Sequence, residues 1–242
     1  MVKLSRDLKT CKPIALKDRT IDYILNGSCN CLRVPAYKAP HHHFNGEVLP
    51  YYKGEEYYKP WEYGVYVVGD SGSRWLTNIL KCPYGKPGSL LYVRERYAFE
   101  SKYNGLSLTQ VKELDDNPKV VYHYDVIRGK SELLGWWRRG SDGPPWAMRT
   151  KLKITSTKLE RLVDHDKNDI FKEGPFQFDH DCIICNGKGI VTTRSSKSEA
   201  TCACSAHYLG RYAEYWDSIQ PNYKTMFETN PWTWVIHFER ME

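Results

Sequence analysis

KCPYGKPGSLLYVRER, residues 81–96, decides how the rest of this chain is read. Pro83, Gly85, Pro87 and Gly88 are spaced so that no helix can run through them, since proline lacks an N–H donor and glycine loosens the backbone. The stretch therefore opens on a turn. Leu90, Leu91, Tyr92 and Val93 follow as a short apolar, β-prone run, which predicts a strand. Arg94-Glu95-Arg96 then switches to alternating charge. A strand ending in charge emerges from a core at the rim of a site, either as a salt-linked rim or as a binding surface.

Working outward toward the N-terminus, residues 73–80 lead into this turn and 64–69, GVYVVG, are a strand candidate. Residues 35–64 are rich in Tyr, Pro, Gly and His without a sustained period, which predicts a long surface excursion packed locally by its tyrosines. SCNCLR, 28–33, reads as an extended piece. DRTIDYILNG, 18–27, predicts a short helix capped by Asp18, with Ile21, Ile24 and Leu25 on one face and Gly27 at its end.

Toward the C-terminus, 104–118 predicts a short polar helix and 119–126, KVVYHYDV, a strand. GWWRRGSDGPPWAM, 135–148, is an aromatic, basic loop. KLKITSTKLERL, 151–162, has the period of a strand with one wet face. A short helix over 164–174, a cysteine-bearing insert over 176–207, an amphipathic helix over 208–219 and a buried strand over 232–238 complete the chain. With neither repeat nor linker, residues 1–242 read as one α+β domain, a small β-barrel decorated by helices.

The hydrophobic fraction, 41%, suffices for a core. No apolar run approaches a membrane span and MVKLSRDLKT is not a signal peptide, so the expectation is a soluble, cytoplasmic protein without a membrane partner. A net charge of +6 mildly favours a polyanionic partner. Aromatics make up 14% of the chain, and those beside Arg and Lys have the chemistry to stack on bases.

Five segments, taken in order, resemble one family: CPYGKPGSLLYVRERY (82–97), PPWAMRTKLKITSTKLERL (144–162), FKEG (171–174), YWDSI (215–219) and NPWTWVIHFER (230–240). The family is that of the ASCH proteins, which have a PUA-like fold, and the likeness is to those carried by bacteriophages and prophages. The resemblance implies a small β-barrel flanked by helices, with a cleft between barrel and helices, and association with RNA or DNA, including modified bases. A few members are enzymes that deacylate modified cytidine, and ribonuclease activity is also attributed to the family. In the deacylating members a Gly-x-Lys-Thr-x-Thr-type motif acts with a later Glu. The matching segment here is 27–33, where the Lys position falls on Cys29 and the Thr position on Leu32, while the Glu is kept as Glu173. A carboxylate without its amine and hydroxyl partners cannot run that chemistry, so the expectation leans away from an amidohydrolase.

Cys182-Ile-Ile-Cys185 and Cys202-Ala-Cys204 are the strongest chemical signal read from the residues alone. Close cysteine pairs in a reducing compartment suggest metal more than disulfides, and four thiolates enclose Zn²⁺ tetrahedrally at about 2.3 Å. His180 or His207 is the alternative to one thiolate. A polar insert of this length has little core and needs such a staple, so the zinc is expected to be structural. His41-His42-His43 reads as a solvated loop, and Cys29 and Cys31 as ordinary thiols.

Three functions follow as expectations. The first is a nucleic-acid-binding module of phage or prophage type, reading a modified or flipped base in the barrel cleft. Arg33, Arg94 and Arg149 would line its mouth, Arg138 and Arg139 would hold phosphate, and Trp137 and Arg96 belong to the same binding set. The second is a nuclease or modified-nucleoside hydrolase in the same cleft, with Glu173 as acid or base. The third is a phage-encoded protein that binds a host protein through the tyrosine-rich surface of 51–66.

Overall fold

The computed structural model describes residues 11–40, 46–52, 58–165, 169–170, 172–173, 190–192, 199–201, 203–220 and 222–241. The strands are β1 (Lys12–Ala15), β2 (Cys31–Pro35), β3 (Gly46–Tyr52), β4 (Tyr58–Val68), β5 (Arg74–Lys81), β6 (Leu90–Arg94), β7 (Tyr97–Phe99), β8 (Val120–Tyr122), β9 (Lys151–Arg161), β10 (Ile190–Thr192), β11 (Glu199–Thr201) and β12 (Trp232–Met241). The helices are α1 (Asp18–Leu25), α2 (Leu108–Leu114), α3 (His123–Ile127) and α4 (Ala203–Ile219). The fold is mixed α+β, mostly sheet with few helices, and among the described residues no sheet closes on itself.

The chain divides into two compact units. One holds residues 1–27, 83–155 and 238–242, the other 28–82 and 156–237. Strands β9 and β12 pass from one to the other along the chain.

In the first unit the hydrogen-bonded order is β1-β6-β9. The opening turn sets it up: Gly85 (φ 128°) and Gly88 (φ 87°) take conformations that a side chain resists, and the Gly88 N–H donates to the Ile154 carbonyl. The chain then enters β6 where the apolar run predicts a strand. Val93 is parallel to Ile14 of β1, and Leu91 is antiparallel to Leu152 of β9. A core of Tyr92, Tyr97, Phe99, Tyr103, Val111, Ala147 and Met148 lies beside it. Ser107 and Gln110 form a reciprocal capping box on α2. Asp18 does not cap α1 as expected: Lys17 is the N-cap residue, without a side-chain bond, and Asp18 sits in the first turn, where its charge favours the helix dipole. The strand expected over 119–126 is only β8, after which His123 begins α3; tertiary packing of Tyr124 overrides the local alternation.

In the second unit the order is β9-β12-β2, with a separate antiparallel sheet β3-β4-β5. That sheet corrects the expectation of an irregular excursion over 35–64. The tyrosines and valines of β3 and β4 pair in register, Val48 opposite Val65 and Pro50 opposite Tyr63, and a shift between Pro50 and Tyr52 breaks the periodicity that would have announced them. Leu162, Ile170, Tyr212, Tyr215 and Trp216 form this unit's helical core. Helix α4 begins earlier than the amphipathic pattern of 208–219 suggests. No helix among the described residues is long and apolar enough to cross a membrane.

Candidate functional site

One face of the β9-β12-β2 ladder carries charge where a sheet interior would normally be apolar. Side chains alternate along a strand, so Lys158 and Glu160 of β9, Thr233 and His237 of β12, and Cys31 and Arg33 of β2 can project to the same side. The contacts bear this out. The Arg33 side chain has no exposed surface and donates Nη1 to Glu160 Oε1 at 2.7 Å and Nε to Glu173 Oε1 at 2.9 Å. Its Nη1 also reaches Thr233 Oγ1 at 3.3 Å. Glu173 is brought there because the Lys172 carbonyl accepts from both the Asn30 and Cys31 N–H groups at the entry to β2. Its other oxygen accepts from the Tyr212 hydroxyl of α4.

The network extends to Asp169, which meets Lys158 at 2.7 Å, Lys172 at 3.5 Å and His237 at 3.4 Å. Burial pushes the Glu173 carboxyl up to about 7, against the pull of Arg33 and Tyr212. Burial works to lower the Arg33 pKa, but Glu173 and Glu160 more than offset it and hold the guanidinium charged. Burial also raises the Asp169 carboxyl, and Lys158 outweighs it to leave Asp169 below its usual range. Burial, helped by the charges of Lys172, Lys158 and Arg33 and opposed by Asp169, keeps His237 below its own. Arg33, Lys158 and Lys172 thus face Glu160, Glu173 and Asp169, three cations against three carboxylates. Both Glu173 oxygens are engaged, so the arrangement braces the start of β2 and offers no open carboxylate.

The first unit has its own arginine site. Glu95, 2% exposed, takes Arg149 Nη2 at 2.8 Å on Oε2 and the Thr150 hydroxyl at 3.1 Å on Oε1. Arg149 Nη1 meets Asp125 at 2.6 Å, and the guanidinium lies 4.3 Å from the Tyr122 ring centre. Arg94, on the same strand end, keeps a buried Nε without a hydrogen-bond partner among the described residues. Of the arginines placed at a mouth by sequence, Arg33 and Arg149 are each held by two carboxylates, and Arg33 shows water no side-chain surface. Arg94 and Arg149 belong to the first unit, Arg33 and Glu173 to the second.

The loop of 135–148 sorts its residues by role. Arg138 donates to the Tyr103 and Leu106 carbonyls and lies 5.2 Å from the Phe99 ring centre, so it serves the fold. Trp146 stacks on Phe99 at 6.0 Å and packs likewise. The outer edge is different. Exposed Arg96 lies 5.8 Å over the ring of Trp137, which meets His123 edge-on at 5.1 Å. Trp136 is 69% exposed and Arg139 is exposed. Arg138 and Tyr97 exchange both backbone bonds, which fixes this edge on β7.

Of the cysteines, Cys182, Cys185 and Cys202 lie outside the described residues, as do His180 and the His41–His43 run, and of Cys204 only the backbone in α4 is described. The described residues hold no cluster of three metal-ligating side chains. Sequence reasoning missed Glu160, Thr233 and Tyr212 around Arg33, and Asp125 and Tyr122 around Arg149. The alternation of Lys158 with Glu160 was the available signal for the first set; nothing local marks the second. Compared with family models, curated proteins and solved structures, the chain matched none.

Proposed function

We propose that this protein binds nucleic acid through the outer edge of the 135–148 loop. The carrying observation is the cation–aromatic group of exposed Arg96 over half-buried Trp137, flanked by exposed Trp136 and Arg139. Exposed tryptophans are costly to keep in water, and a tryptophan beside unpaired guanidinium groups suits a base and its phosphate. The net charge of +6 and the resemblance to ASCH proteins support the same reading, and the resemblance also supports a PUA-like arrangement of the ladders around β6, β9 and β12. A base read in a cleft belongs to the same proposal, with Arg94 as its remaining uncommitted donor at the strand end. The test is fluorescence anisotropy of a labelled single strand across a salt series. Affinity that falls steeply with salt, and is lost in Trp137→Ala, supports the reading; affinity indifferent to salt overturns it.

The zinc staple over Cys182, Cys185, Cys202 and Cys204 is part of this proposal as a structural element. Protein purified without added zinc is expected to carry about one equivalent by elemental analysis. A folded protein with near-zero zinc refutes it.

A second reading is favoured by the β3-β4-β5 sheet, where Trp75 is 56% exposed and pairs across the ladder with Val67, itself 38% exposed. An apolar cross-strand pair left in water suits docking of a host protein. The hydrolase alternative gains less, because Glu173 already accepts hydrogen bonds on both oxygens.

A further inference from the structure

Among the described residues, two arginines that withdraw from water are each held by a pair of carboxylates. Arg33 has Glu160 and Glu173; Arg149 has Glu95 and Asp125. Arg161, the last residue of β9, is half-buried and has none. It donates Nη1 to the Asn230 carbonyl at 3.0 Å and lies 4.6 Å over the ring of Trp232, and no ion pair reaches it among the described residues. Its Nε and Nη2 have no partner there either. Burial accordingly lowers its pKa against the opposing charge of Asp164, whereas Arg149 is raised by its carboxylates despite burial.

Arg161 lines a pocket in the second unit of about 90 Å³, and the lining explains what the guanidinium lacks. Lys224 is the second cation there, set 5.7 Å from the Tyr223 ring centre and likewise without a carboxylate. Asn222, Thr225, Thr229, Trp232 and exposed Tyr37 complete the polar and aromatic lining, and among the described residues no Asp or Glu contributes to it. Two cations around a small concavity, with no carboxylate among its described lining, leave a positive potential that suits an anionic ligand. Trp232 reads from sequence as a core residue of the last strand; in the structure it is half-buried, its indole N–H enclosed without a partner among the described residues and its ring face given to Arg161.

The geometry points to a phosphomonoester site: Arg161 and Lys224 hold the terminal phosphate of a nucleotide, and Tyr37 at the rim faces its base. A guanidinium with two adjacent free N–H groups matches a pair of phosphate oxygens, and the size suits one tetrahedral anion with its base left outside. The site shares no residue with the Arg96–Trp137 edge, so the two can fail independently.

The test uses the full chain and isothermal titration with AMP, adenosine, and a short oligonucleotide with a 5′-phosphate or a 5′-hydroxyl. AMP is expected to bind at least about tenfold more tightly than adenosine, and Arg161→Gln and Lys224→Ala each to weaken AMP by about tenfold, as loss of a charge-assisted bond implies. Lys224 is a surface side chain, so its variant reports even if Arg161→Gln fails to fold. Trp137→Ala is expected to leave AMP binding unchanged. Preference for the 5′-phosphorylated oligonucleotide assigns the phosphate to a chain end; equal binding of the two oligonucleotides, with AMP still bound, assigns it to a free nucleotide. Equal affinity for AMP and adenosine, or AMP binding untouched by Lys224→Ala, overturns the proposal.

Discussion

Arg33 Nε and Glu173 Oε1 meet at 2.9 Å although 140 positions separate them in the chain. The pair closes the second unit: the start of β2 is tied through one guanidinium to β9, to β12 and to the segment just before the cysteine-bearing insert. Removing one partner of such a pair costs more than the pair itself contributes, because the other is left buried and charged.

Arg33→Met is therefore expected to destabilise the protein by about 3–5 kcal/mol, since Glu160 and Glu173 both lose their cation. Urea unfolding measures it. The double variant Arg33→Met/Glu173→Gln should recover part of the loss, and strict additivity of the two would show that the residues do not act as a pair.

Glu173 makes stability depend on pH with an unusual sign for a carboxylate. Its carboxyl rises from 4.5 to about 7 on folding, so between those values the folded state binds more protons than the unfolded one. Its contribution is complete below 4.5 and is lost as pH rises through 7. Asp169 and His237, both lowered, act in the opposite direction, so the comparison must isolate Glu173. The stability of wild type relative to Glu173→Gln should fall steadily between about pH 5 and 7 in thermal unfolding. A difference that stays flat over that range would place the carboxyl near its ordinary value.

Arg149→Met should cost less than Arg33→Met, about 2 kcal/mol, because Arg149 keeps 27% of its side-chain surface in water and Asp125 can be solvated when released. Glu95, 2% exposed, bears the loss. Near-ultraviolet circular dichroism should report the change as well, since the Tyr122 ring lies against the guanidinium.

For nucleic acid, Arg139→Gln should weaken binding similarly across sequences. It should also reduce the slope of log affinity against log salt by about 0.7 to 0.9, the release from one phosphate. Arg138→Gln should instead lower stability, since its donors serve the Tyr103 and Leu106 carbonyls. The reverse pattern would move the binding edge elsewhere.

Cys29 and Cys31 should resist alkylation in the folded protein at pH 8. Both are buried, and burial pushes the Cys29 thiol up to about 12 and raises Cys31 as well. Peptide mapping after brief iodoacetamide treatment should find them unmodified until denaturant is added; rapid labelling of either in the native protein would show an open β2.

The turn of 81–89, strand β6, the long β9 and the last strand could be read directly from the residues, because proline, glycine and two-residue alternation act locally. The same alternation placed Lys158 and Glu160 on one face but did not name their partners. What only the tertiary structure decided is which charges meet. Arg33 reads locally as a surface cation, and its burial follows from carboxylates delivered by β9 and by the residues around 173. Arg161, the residue next to Glu160 on β9, is left without one among the described residues. Coulomb energy depends on distance in space and on exclusion of water, and neither is a property of neighbouring letters in the chain.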